Sequence, residues 1–339
     1  MKQANLKKSD QIDIVIPWVD GNDPAWQEER NKYSGLTTSS VHSYNYQEWG
    51  LLKFFFRSIE KNAPWAGKVY FITWGHLPEW LNTENPDLIV VRHSDYIPEK
   101  YLPTFNSHTI ELNIHRIKGL SEQFVYFNDD TYLTNKTDPE DFFVDGLPCD
   151  SAIVNPIAPS GRNTINSLQF THAAVINEHF SKRKVIKDNP LKWFNYKYGS
   201  LMLLNAMFLP WSRFPGLLEK HIPSSFLKST FDEVWSQENE LLDQTCSHKF
   251  RDFKTDVNQW IMKEWQIASG NFEPRSTKCG SFINVNSREN AVKAAELIRN
   301  QKYKMLCVND HLDELDQESI GMIRDAFEAL FPDKSCFEK

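Results

Sequence analysis

Cysteine is scarce in this chain and follows no pattern typical of a metal site or a disulfide framework. The 339 residues include five cysteines, which are widely separated, form no CxxC pair and are odd in number: Cys149, Cys246, Cys279, Cys307 and Cys336. Zinc sites and disulfide-rich folds show closer, regular spacing. The sequence therefore carries no zinc or disulfide signal and fits a reducing cytoplasm.

Long apolar runs are also missing. The most apolar segment, GSLMLLNAMFLPW at 199–211, is shorter than the roughly 20 residues that a membrane-spanning helix needs. The first residues, MKQANLKKSDQ, are polar and lack the apolar core of a secretory signal peptide. We therefore expect a soluble, cytoplasmic chain that is at most peripheral to the inner face of a membrane.

Three common signatures of enzyme chemistry are absent. The chain contains no Walker phosphate-binding loop, no GxGxxG fingerprint and no GxSxG nucleophile motif. These absences exclude P-loop kinases, dinucleotide-dependent oxidoreductases and α/β-hydrolases. The net charge of −7 argues against a nucleic acid as the main partner, but it is compatible with a local basic pocket for the phosphates of a nucleotide.

Aromatic residues, in contrast, are abundant. They make up 13% of the chain and include 11 tryptophans. Aromatic faces line many sugar-binding clefts, but a tryptophan-rich core explains the same composition. The length allows one large domain or two.

Alternating apolar patterns in the first half of the chain predict an α/β protein. Apolar β-type runs predict strands at 12–18, 68–73, 88–92 and 123–127, and helical spacing predicts helices at 26–33, 47–62 and 106–120. Beyond about residue 150 the pattern predicts helices at 171–180, 191–208 and 256–268, then a strand at 281–285, a helix at 289–299, a strand at 305–308 and a helix at 318–331. This order predicts a largely parallel sheet.

Polar residues directly follow two of the predicted strands. Asp20, Gly21, Asn22 and Asp23 come after the first strand, and an Asn-Asp-Asp triplet at 128–130 ends the strand FVYF. Ligands of parallel α/β sheets bind beyond the carboxyl ends of the strands. We therefore expect both groups on one rim of one cleft. Asp-Gly-Asn-Asp-Pro is also a good turn by itself.

The triplet Asn128, Asp129 and Asp130 supplies hard oxygen ligands of the kind that Mg²⁺ or Mn²⁺ prefers. A cation would also relieve the repulsion between two adjacent carboxylates. The alternative is an N-cap or a turn, since Asn and Asp both favour these positions. A weaker echo, Val308-Asn309-Asp310-His311, ends another apolar run.

Two further residues are candidates for catalysis. His221, in EKHIP, has the side chain most often used as a general base near neutral pH, although a packed or surface histidine is the ordinary alternative. Arg251, in HKFR, can bind a phosphate through two parallel hydrogen bonds. The alternative is that Arg251 is a solvent-exposed residue at the end of a helix.

Four blocks of the sequence together resemble the Stealth family of hexose-1-phosphoryltransferases. The first block is IDIVIPWVDGNDPAW (12–26). The second comprises LKFFFRSIEKNAPW (52–65), the stretches 69–80 and 92–98, and LPTFNSHTIELNIHRIKGLSEQFVYFNDD (102–130). The third runs from HIP (221–223) through Arg251 to Trp260, and the fourth comprises VND (308–310) and FEALFPDKSCFE (327–338). The family includes bacterial capsular polysaccharide phosphotransferases and the catalytic subunit of the animal enzyme that tags lysosomal hydrolases with GlcNAc-1-phosphate. Pro17 departs from the threonine of many relatives.

The resemblance implies an α/β fold with a GT-A-like (Rossmann-type), mostly parallel sheet and a helical insertion. We expect residues 1–150 to form the first part of the core, 151–270 the insertion that carries His221 and Arg251, and 271–339 a segment that completes the core. By position, the resemblance implies catalytic roles for His221, Arg251 and Asp130. The metal ligands that it implies are Asp129, Asp130, Asp256 and Asn309. The substrate-binding residues that it implies are Asp20, Gly21, Asn22, Asp23, Arg57, Asn106, His108 and Asn128.

The resemblance implies transfer of a hexose-1-phosphate or N-acetylhexosamine-1-phosphate from a UDP-sugar to a glycan hydroxyl, with Mg²⁺ or Mn²⁺ as cofactor and UMP as the leaving product. The acceptor would be an oligosaccharide or a lipid-linked glycan of capsule or cell-wall polysaccharide. A GT-A glycosyltransferase that transfers the sugar alone and releases UDP is the nearest alternative. A non-catalytic glycan-binding protein is the alternative from another class.

Overall fold

The computed structural model describes residues 11–35, 49–159, 161, 164–310 and 317–339, with only the backbone of Asp310. The strands are β1 (Ile12–Trp18), β2 (Val69–Thr73), β3 (Leu88–Arg92), β4 (Gln123–Tyr126), β5 (Thr131–Leu133), β6 (Phe143–Val144), β7 (Leu147–Asp150), β8 (Ser224–Leu227), β9 (Glu273–Pro274), β10 (Gly280–Val285) and β11 (Met305–Asp310). The α-helices are α1 (Pro24–Ser34), α2 (Leu52–Asn62), α3 (Ser107–Leu112), α4 (Ile165–His179), α5 (Lys182–Asp188), α6 (Pro190–Trp193), α7 (Met202–Met207), α8 (Lys228–Gln237), α9 (Asn239–Ser247), α10 (Trp260–Ser269), α11 (Arg288–Arg299) and α12 (Gln317–Leu330).

The central sheet has five strands in the order β3-β2-β1-β4-β8. The first four are parallel, and β8 runs antiparallel to β4. The chain builds outward from β1 through β2 to β3, then returns to place β4 on the other side of β1, which creates a switch point between β1 and β4. The predicted α/β fold with a GT-A-like, Rossmann-type and mostly parallel sheet is confirmed.

Both faces of the central sheet are covered, which explains why β1 reads as a continuous apolar run. On one face, Phe54 of α2 stacks on Phe327 of α12 at 5.4 Å between ring centroids, and Phe55 packs edge-to-face on Phe127 at 5.4 Å. All four rings are fully buried. Burying a side chain of this size stabilises the fold by about 2–3 kcal/mol.

The second face of the sheet is covered by part of the helical region. Phe124 of β4 lies 5.8 Å from Phe226 of β8 and 5.7 Å from Phe231 of α8. Helix α10 also belongs to this layer through Trp265. The segment 151–270 is therefore held to the core by an apolar interface, and its strand β8 is itself part of the central sheet.

A second sheet, in the order β10-β11-β5, brings the end of the chain to the end of β4. Strand β5 follows β4 after a tight turn and pairs antiparallel with β11, with Thr131 opposite Cys307. Strand β10 is parallel to β11. A small third sheet joins β6, β7 and β9.

Several of the predicted helices differ from those in the structure. The helix predicted at 171–180 is α4, which begins six residues earlier, at Ile165. The span 191–208 is wrong as a single helix: it contains α6, a 3₁₀ segment at Tyr196–Leu201 and α7, because Gly199 adopts a positive φ of 56°. The span 106–120 shortens to α3 and a 3₁₀ turn at Ile114–Arg116. The helix predicted from residue 256 begins at Trp260, because the Asp256 carboxylate binds neighbouring loops.

Most other predicted elements are present within one or two residues. Helix α1 begins earlier than predicted because the Asp23 carboxylate accepts a hydrogen bond from the backbone N–H of Trp26 and Pro24 occupies the first helical position. Helix α2 begins at Leu52; residues 47 and 48 of its predicted span, and His311, lie outside the described residues. In the part of the chain that the structure describes, no helix combines the length and apolar character needed to cross a membrane.

Arg57, which the resemblance placed at the substrate, is instead bound to the C-terminal segment. Its Nε and Nη2 each lie 2.8 Å from a carboxylate oxygen of Glu338, and its Nη1 donates to the carbonyl oxygen of Phe331 at 2.7 Å and to Glu328 at 3.2 Å. The side chains of Arg57 and Glu338 are 6% and 5% exposed. The structure therefore does not bring Arg57 to the other candidate residues, and we assign it to the packing of α2 against the chain end.

We predict that Arg57→Ala lowers the free energy of unfolding by about 3 kcal/mol, because it leaves the buried Glu338 carboxylate without its cation. Urea unfolding followed by tryptophan fluorescence measures this change. Lys53→Ala is the matched control, since Lys53 is also on α2 and forms a more exposed ion pair with Glu328 of α12 at 3.2 Å. We expect this variant to lower the free energy of unfolding by less than about 1 kcal/mol. Equal effects of the two variants would contradict the assignment.

Candidate active site

The turn that ends β4 places Asn128, Asp129 and Asp130 at the rim of the central sheet. Phe127 still donates its backbone N–H to the Val15 carbonyl oxygen at 2.8 Å, so the ladder with β1 ends immediately before the triplet. The Asn128 carbonyl oxygen accepts hydrogen bonds from the backbone N–H of Thr131 at 3.1 Å and from its hydroxyl at 2.7 Å. This turn leaves Asp129 exposed and turns Asp130 towards β11.

His221 reaches the same turn because β8 runs antiparallel to β4. Tyr126, the last residue of β4, lies opposite Ser224, the first of β8. Residues just before β8 therefore meet residues just after β4. The side-chain amide of Asn128 contacts Nε2 of His221, and the same nitrogen lies 3.8 Å from Oδ1 of Asp130.

Asp130 is held on its other side by the C-terminal strand β11. The Val308 backbone N–H donates to the Asp130 carbonyl oxygen at 2.9 Å, and the Cys307 thiol donates to Oδ2 of Asp130 at 3.2 Å. Burial, reinforced by the charge of Asp130, raises the pKa of the Cys307 thiol. The thiol therefore stays protonated at neutral pH and acts as a hydrogen-bond donor.

The carboxylates of the β4 turn fit a divalent cation. Ligand atoms of Asp130, His221 and Cys307 lie within 4.8 Å of one another, but the Cys307 thiol is protonated and donates to Asp130, so the oxygen atoms of the turn are the candidate ligands. The buried Oδ1 of Asp130 has no hydrogen-bond partner, which is costly for a carboxylate oxygen unless a cation or a substrate group binds it. The exposed Asp129 adds a second carboxylate at the same turn. Such hard oxygen atoms suit Mg²⁺ or Mn²⁺.

The loop after β1 forms the neighbouring part of the rim. Asp20 Oδ1 accepts from the backbone N–H of Asn22 at 2.9 Å, and Gly21 accepts from the side chain of Gln27 through its carbonyl oxygen at 2.7 Å. Asp23 caps α1. These contacts give the loop a defined shape, and since β1 and β4 are adjacent and parallel, it lies at the same sheet edge as Asn128.

His76, which sequence reasoning missed, supports this loop from the end of β2. Its Nε2 accepts a hydrogen bond from the backbone N–H of Asp20 at 2.7 Å, and its Nδ1 lies 3.6 Å from Oδ2 of Asp23. Burial lowers the pKa of His76, although the charges of Asp23 and Asp20 oppose this shift. Its position in the sequence could have identified it, because His76 follows a predicted parallel strand and therefore lies at the same sheet edge as the Asp20 loop.

A second polar cluster forms around Asp256, which is fully buried. Its Oδ2 lies 3.0 Å from Nδ1 of His108 and accepts from the Asn106 amide at 3.0 Å and from the Asp252 backbone N–H at 2.9 Å. Its Oδ1 lies 2.6 Å from Nδ1 of His248. Both oxygens are occupied by protein donors, so the structure does not place Asp256 among the groups around Asp130.

The protonation of this cluster follows from its contacts. Burial opposes ionisation of Asp256, but the hydrogen bonds of His108 and His248 outweigh it and lower the pKa of Asp256 to about 2. The hydrogen bond to Asp256 raises the pKa of His248 above its ordinary value. Asp256 is therefore an anion that joins α3 to the loop before α10.

Arg251 lies on the loop before α10. Its Nε donates to the hydroxyl of Ser107, at the start of α3, at 3.0 Å. Burial and the charges of Glu111 and Asp129 raise the pKa of Tyr126, while the charge of Arg251 opposes this shift. Arg251 is therefore joined to the Asp256 cluster through α3.

The loop that carries His221 is anchored by buried charges. The ammonium of Lys263 lies 2.7 Å from Glu219 and 3.6 Å from Asp150, and all three side chains are at most 7% exposed. Lys220 donates to the Thr277 carbonyl oxygen. These contacts fix the backbone on the amino-terminal side of His221.

The structure thus brings together only part of the predicted set. Asn128, Asp130 and His221 are in contact or near contact, with Asp129 in the same turn. Asn309 lies at the same edge, where its amide donates to Asn284 at 2.8 Å. Asn106, His108 and Asp256 form the second cluster with Arg251 beside it, and the loop 20–23 lies along the rim. Cys307 also contacts Asp130. Cys307 was not predicted from the sequence as a site residue, although it lies two residues before Asn309.

Three family models match the chain. They are Stealth protein CR1, conserved region 1, at residues 10–37; Stealth protein CR2, conserved region 2, at 45–149; and Stealth protein CR4, conserved region 4, at 296–339. The matched regions contain the loop 20–23, the triplet 128–130 and Cys307. His221 and Arg251 lie outside these three spans.

Several bacterial proteins are similar over nearly the whole chain. A capsular polysaccharide phosphotransferase WcwK of Streptococcus pneumoniae is 40% identical over 98% of this chain and 100% of its own length. A receptor polysaccharide phosphotransferase WefC of Streptococcus oralis is 38% identical over 96% and 99%. An exopolysaccharide phosphotransferase cps2G of Lactiplantibacillus plantarum is 37% identical over 97% and 96%.

Among solved structures, the galactosyltransferase LgtC in complex with donor and acceptor sugar analogues matches 96% of this chain and 96% of its own, at 9% identity and a TM-score of 0.40. The bifunctional glycosyltransferase WbbM matches 96% of this chain and 50% of its own, at 12% identity and a TM-score of 0.41. At these TM-scores, the likeness adds nothing to the fold that the order of the strands establishes.

The Asp256 cluster predicts a pH-dependent contribution to stability. Because the pKa of His248 is raised in the folded chain, its stabilising effect is present below its ordinary pKa of about 6.5 and is lost as the pH rises through the raised value. We expect His248→Gln to lower the free energy of unfolding by about 1 kcal/mol at about pH 5.5 and by less at about pH 9. Urea unfolding at both pH values measures this.

Asp256→Asn provides the control background for this experiment. Without the carboxylate, the His248→Gln substitution should cost the same at both pH values. A pH-dependent cost that persists in the Asp256→Asn background would show that another group, and not Asp256, determines the titration of His248.

Proposed function

The chain belongs to the Stealth family, and we propose that it transfers hexose-1-phosphate or N-acetylhexosamine-1-phosphate from a UDP-sugar to a glycan hydroxyl, releasing UMP. It is a phosphotransferase of polysaccharide synthesis, as its relatives are. The glycan would belong to a capsule or a cell-wall polysaccharide. The observation that carries the proposal is the meeting of His221 with Asn128 and Asp130 at the rim of the sheet, since it combines a base with a carboxylate suited to a cation.

The reaction we propose is a displacement at phosphorus. The acceptor hydroxyl oxygen forms a bond to the phosphorus that bears the sugar, and the bond from that phosphorus to the oxygen bridging the two phosphates breaks. The electron pair leaves with UMP, and the anomeric C–O bond stays intact. The product is therefore a phosphodiester. Such transfers depend on positioning and on the neutralisation of charge.

His221 is the base in this proposal. Its Nε2 faces Asn128 and Asp130. Before the acceptor binds, the Asn128 amide contacts this nitrogen and orients the imidazole ring. The acceptor hydroxyl would replace the amide at Nε2 and give its proton to this nitrogen as the new P–O bond forms. The ion pair of Glu219 with Lys263 fixes the loop behind the ring. The acceptor hydroxyl would therefore approach between the β4 turn and the loop that carries His221.

The donor phosphates would lie between the β4 turn and the Arg251 loop. Asp129 and Asp130 would hold Mg²⁺ or Mn²⁺, which neutralises phosphate charge when bound. The guanidinium of Arg251 would bind a phosphate oxygen. The backbone of the loop 20–23, held by His76, would contact the nucleotide. Asn106 and His108 would act through Asp256, by positioning the loop that carries Arg251.

As part of the same proposal, we place the reaction in the cytoplasm, at the inner face of the bacterial membrane. A growing polysaccharide is commonly built on a carrier, and a lipid-linked glycan is therefore included among the acceptors that we propose. The names of the relatives support polysaccharide synthesis in general. Assaying a panel of UDP-sugars for UMP release would identify the hexose.

We predict that the purified chain releases UMP from at least one UDP-sugar in the presence of Mg²⁺ or Mn²⁺ and a glycan acceptor. Excess chelator should abolish the release, and Asp130→Asn should reduce it at least about 100-fold while the chain stays folded, because the carboxylate that faces the cation is lost. Chromatography of the nucleotide products measures the release, and phosphorus NMR detects the phosphodiester.

The nucleotide that appears separates the alternatives. UDP in place of UMP would support a glycosyltransferase, and no release with any donor or acceptor would favour a glycan-binding protein. Undiminished UMP release in chelator would contradict the role of the cation but not the transfer itself.

We predict that His221→Ala lowers the rate of transfer by about 10²- to 10⁴-fold, the usual contribution of a general base. Steady-state rates of UMP release measure the loss. The matched control is His179→Ala, since His179 pairs with Glu238 on the helical segment, and we expect it to keep nearly full activity. Unimpaired turnover of the His221 variant would remove it from the role of base.

A further inference from the structure

Large apolar side chains are exposed on one part of the helical segment. We define the apolar patch as Phe170, Leu203, Met207, Leu209 and Trp211. Their exposed fractions are 69%, 62%, 67%, 44% and 54%. Monomeric proteins rarely leave so much apolar surface in contact with water unless it binds a partner or a membrane.

The geometry of the chain brings these side chains to one surface. Leu203 and Met207 lie four residues apart on α7 and therefore share a face of this helix. Trp211 follows directly, where the backbone turns back on Phe208 through a hydrogen bond of 3.1 Å. Phe170 of α4 and Trp211 line the same cleft, which has a volume of about 650 Å³. Trp211 thus links the end of α7 to this cleft.

Basic residues border the patch. The ammonium of the buried Lys182 donates to the carbonyl oxygens of Phe208 and Trp211, which fixes α5 against the end of α7. The next residues on α5, Arg183 and Lys184, are exposed. Lys187 and Arg213 are exposed in the same segment, and Lys254 lines the cleft.

The charge of this segment is opposite to that of the chain. Residues 181–213 contain seven Lys or Arg and one Asp, a net charge of +6, whereas the whole chain carries −7. Three of the seven are committed to backbone carbonyl oxygens, namely Lys182, Lys192 and Lys197. Arg183, Lys184, Lys187 and Arg213 therefore supply the outward positive charge of this segment.

We propose that the apolar patch and its basic border dock the chain onto an anionic lipid bilayer. Leucine, methionine and tryptophan side chains enter the boundary between headgroups and acyl chains, while Lys and Arg at the edge bind anionic headgroups. The exposed ring of Trp211 and its N–H suit this boundary, which is apolar on one side and wet on the other. None of the residues of the docking surface has a role in the reaction proposed above, so the docking does not depend on that reaction.

The test is co-sedimentation of the purified full chain with vesicles. We expect binding to phosphatidylcholine vesicles that contain about one-third phosphatidylglycerol, weaker binding to phosphatidylcholine alone, and a loss of binding as the salt concentration rises. Leu203→Glu and Met207→Glu, made separately, should each weaken the partition coefficient about tenfold, because each removes an apolar side chain from the lipid boundary and adds a negative charge.

Two further variants complete the design. Arg183→Gln combined with Lys184→Gln should weaken binding to anionic vesicles about tenfold and leave the residual binding to neutral vesicles unchanged. Val292→Glu on α11 is the matched control, since Val292 is 40% exposed outside the patch, and it should bind as the unaltered chain does. Thermal unfolding of each variant shows that the fold is retained.

Three results would overturn the proposal. They are the absence of sedimentation with any vesicle, equal binding by the patch variants and the unaltered chain, and size-exclusion chromatography that shows a dimer which Met207→Glu dissociates. The last result would assign the patch to a second copy of the chain. UMP release in solution is measured separately, so its failure and the failure of vesicle binding are distinguishable.

Discussion

The antiparallel pairing of β8 with β4 is the constraint on which the candidate active site depends. It places the amino-terminal end of β8 next to the carboxyl end of β4, so that His221 meets Asn128 although 93 residues separate them. If β8 ran parallel to β4, His221 would lie at the opposite edge of the sheet. A single reversal of strand direction thus joins a base from the helical segment to carboxylates from the core.

Part of this arrangement could be predicted from the sequence. The strand FVYF and its Asn-Asp-Asp ending show the sheet edge and the ligand chemistry directly, because strand termini carry their own local signals. His221 was one candidate by residue type, and the family resemblance implied its catalytic role. Its contact with Asn128 depends on the pairing of distant strands, which no local pattern indicates. The thiol of Cys307 and the burial of Arg57 depend on the C-terminal segment, and no local pattern indicates which distant residues that segment will reach.

Buried charges position the two loops of the site. Lys263 holds Glu219 and Asp150 in a nearly dry environment, and Asp256 holds His108 and His248. Breaking such a set is costly, because each remaining charge would stay buried without its partner. The loops that carry His221 and Arg251 are therefore fixed by electrostatic contacts of their buried residues, while the side chain of His221 is 31% exposed and Arg251 is also exposed.

The contact between β5 and β11 has a consequence for the newly made protein. Asp130 and Cys307 are separated by 177 residues, so the ribosome makes β11 long after the β4 turn. Until β11 has been synthesised, the β4 turn has no neighbour on its β11 side. A nascent chain therefore carries its acidic triplet for most of its synthesis without the strand that orders it.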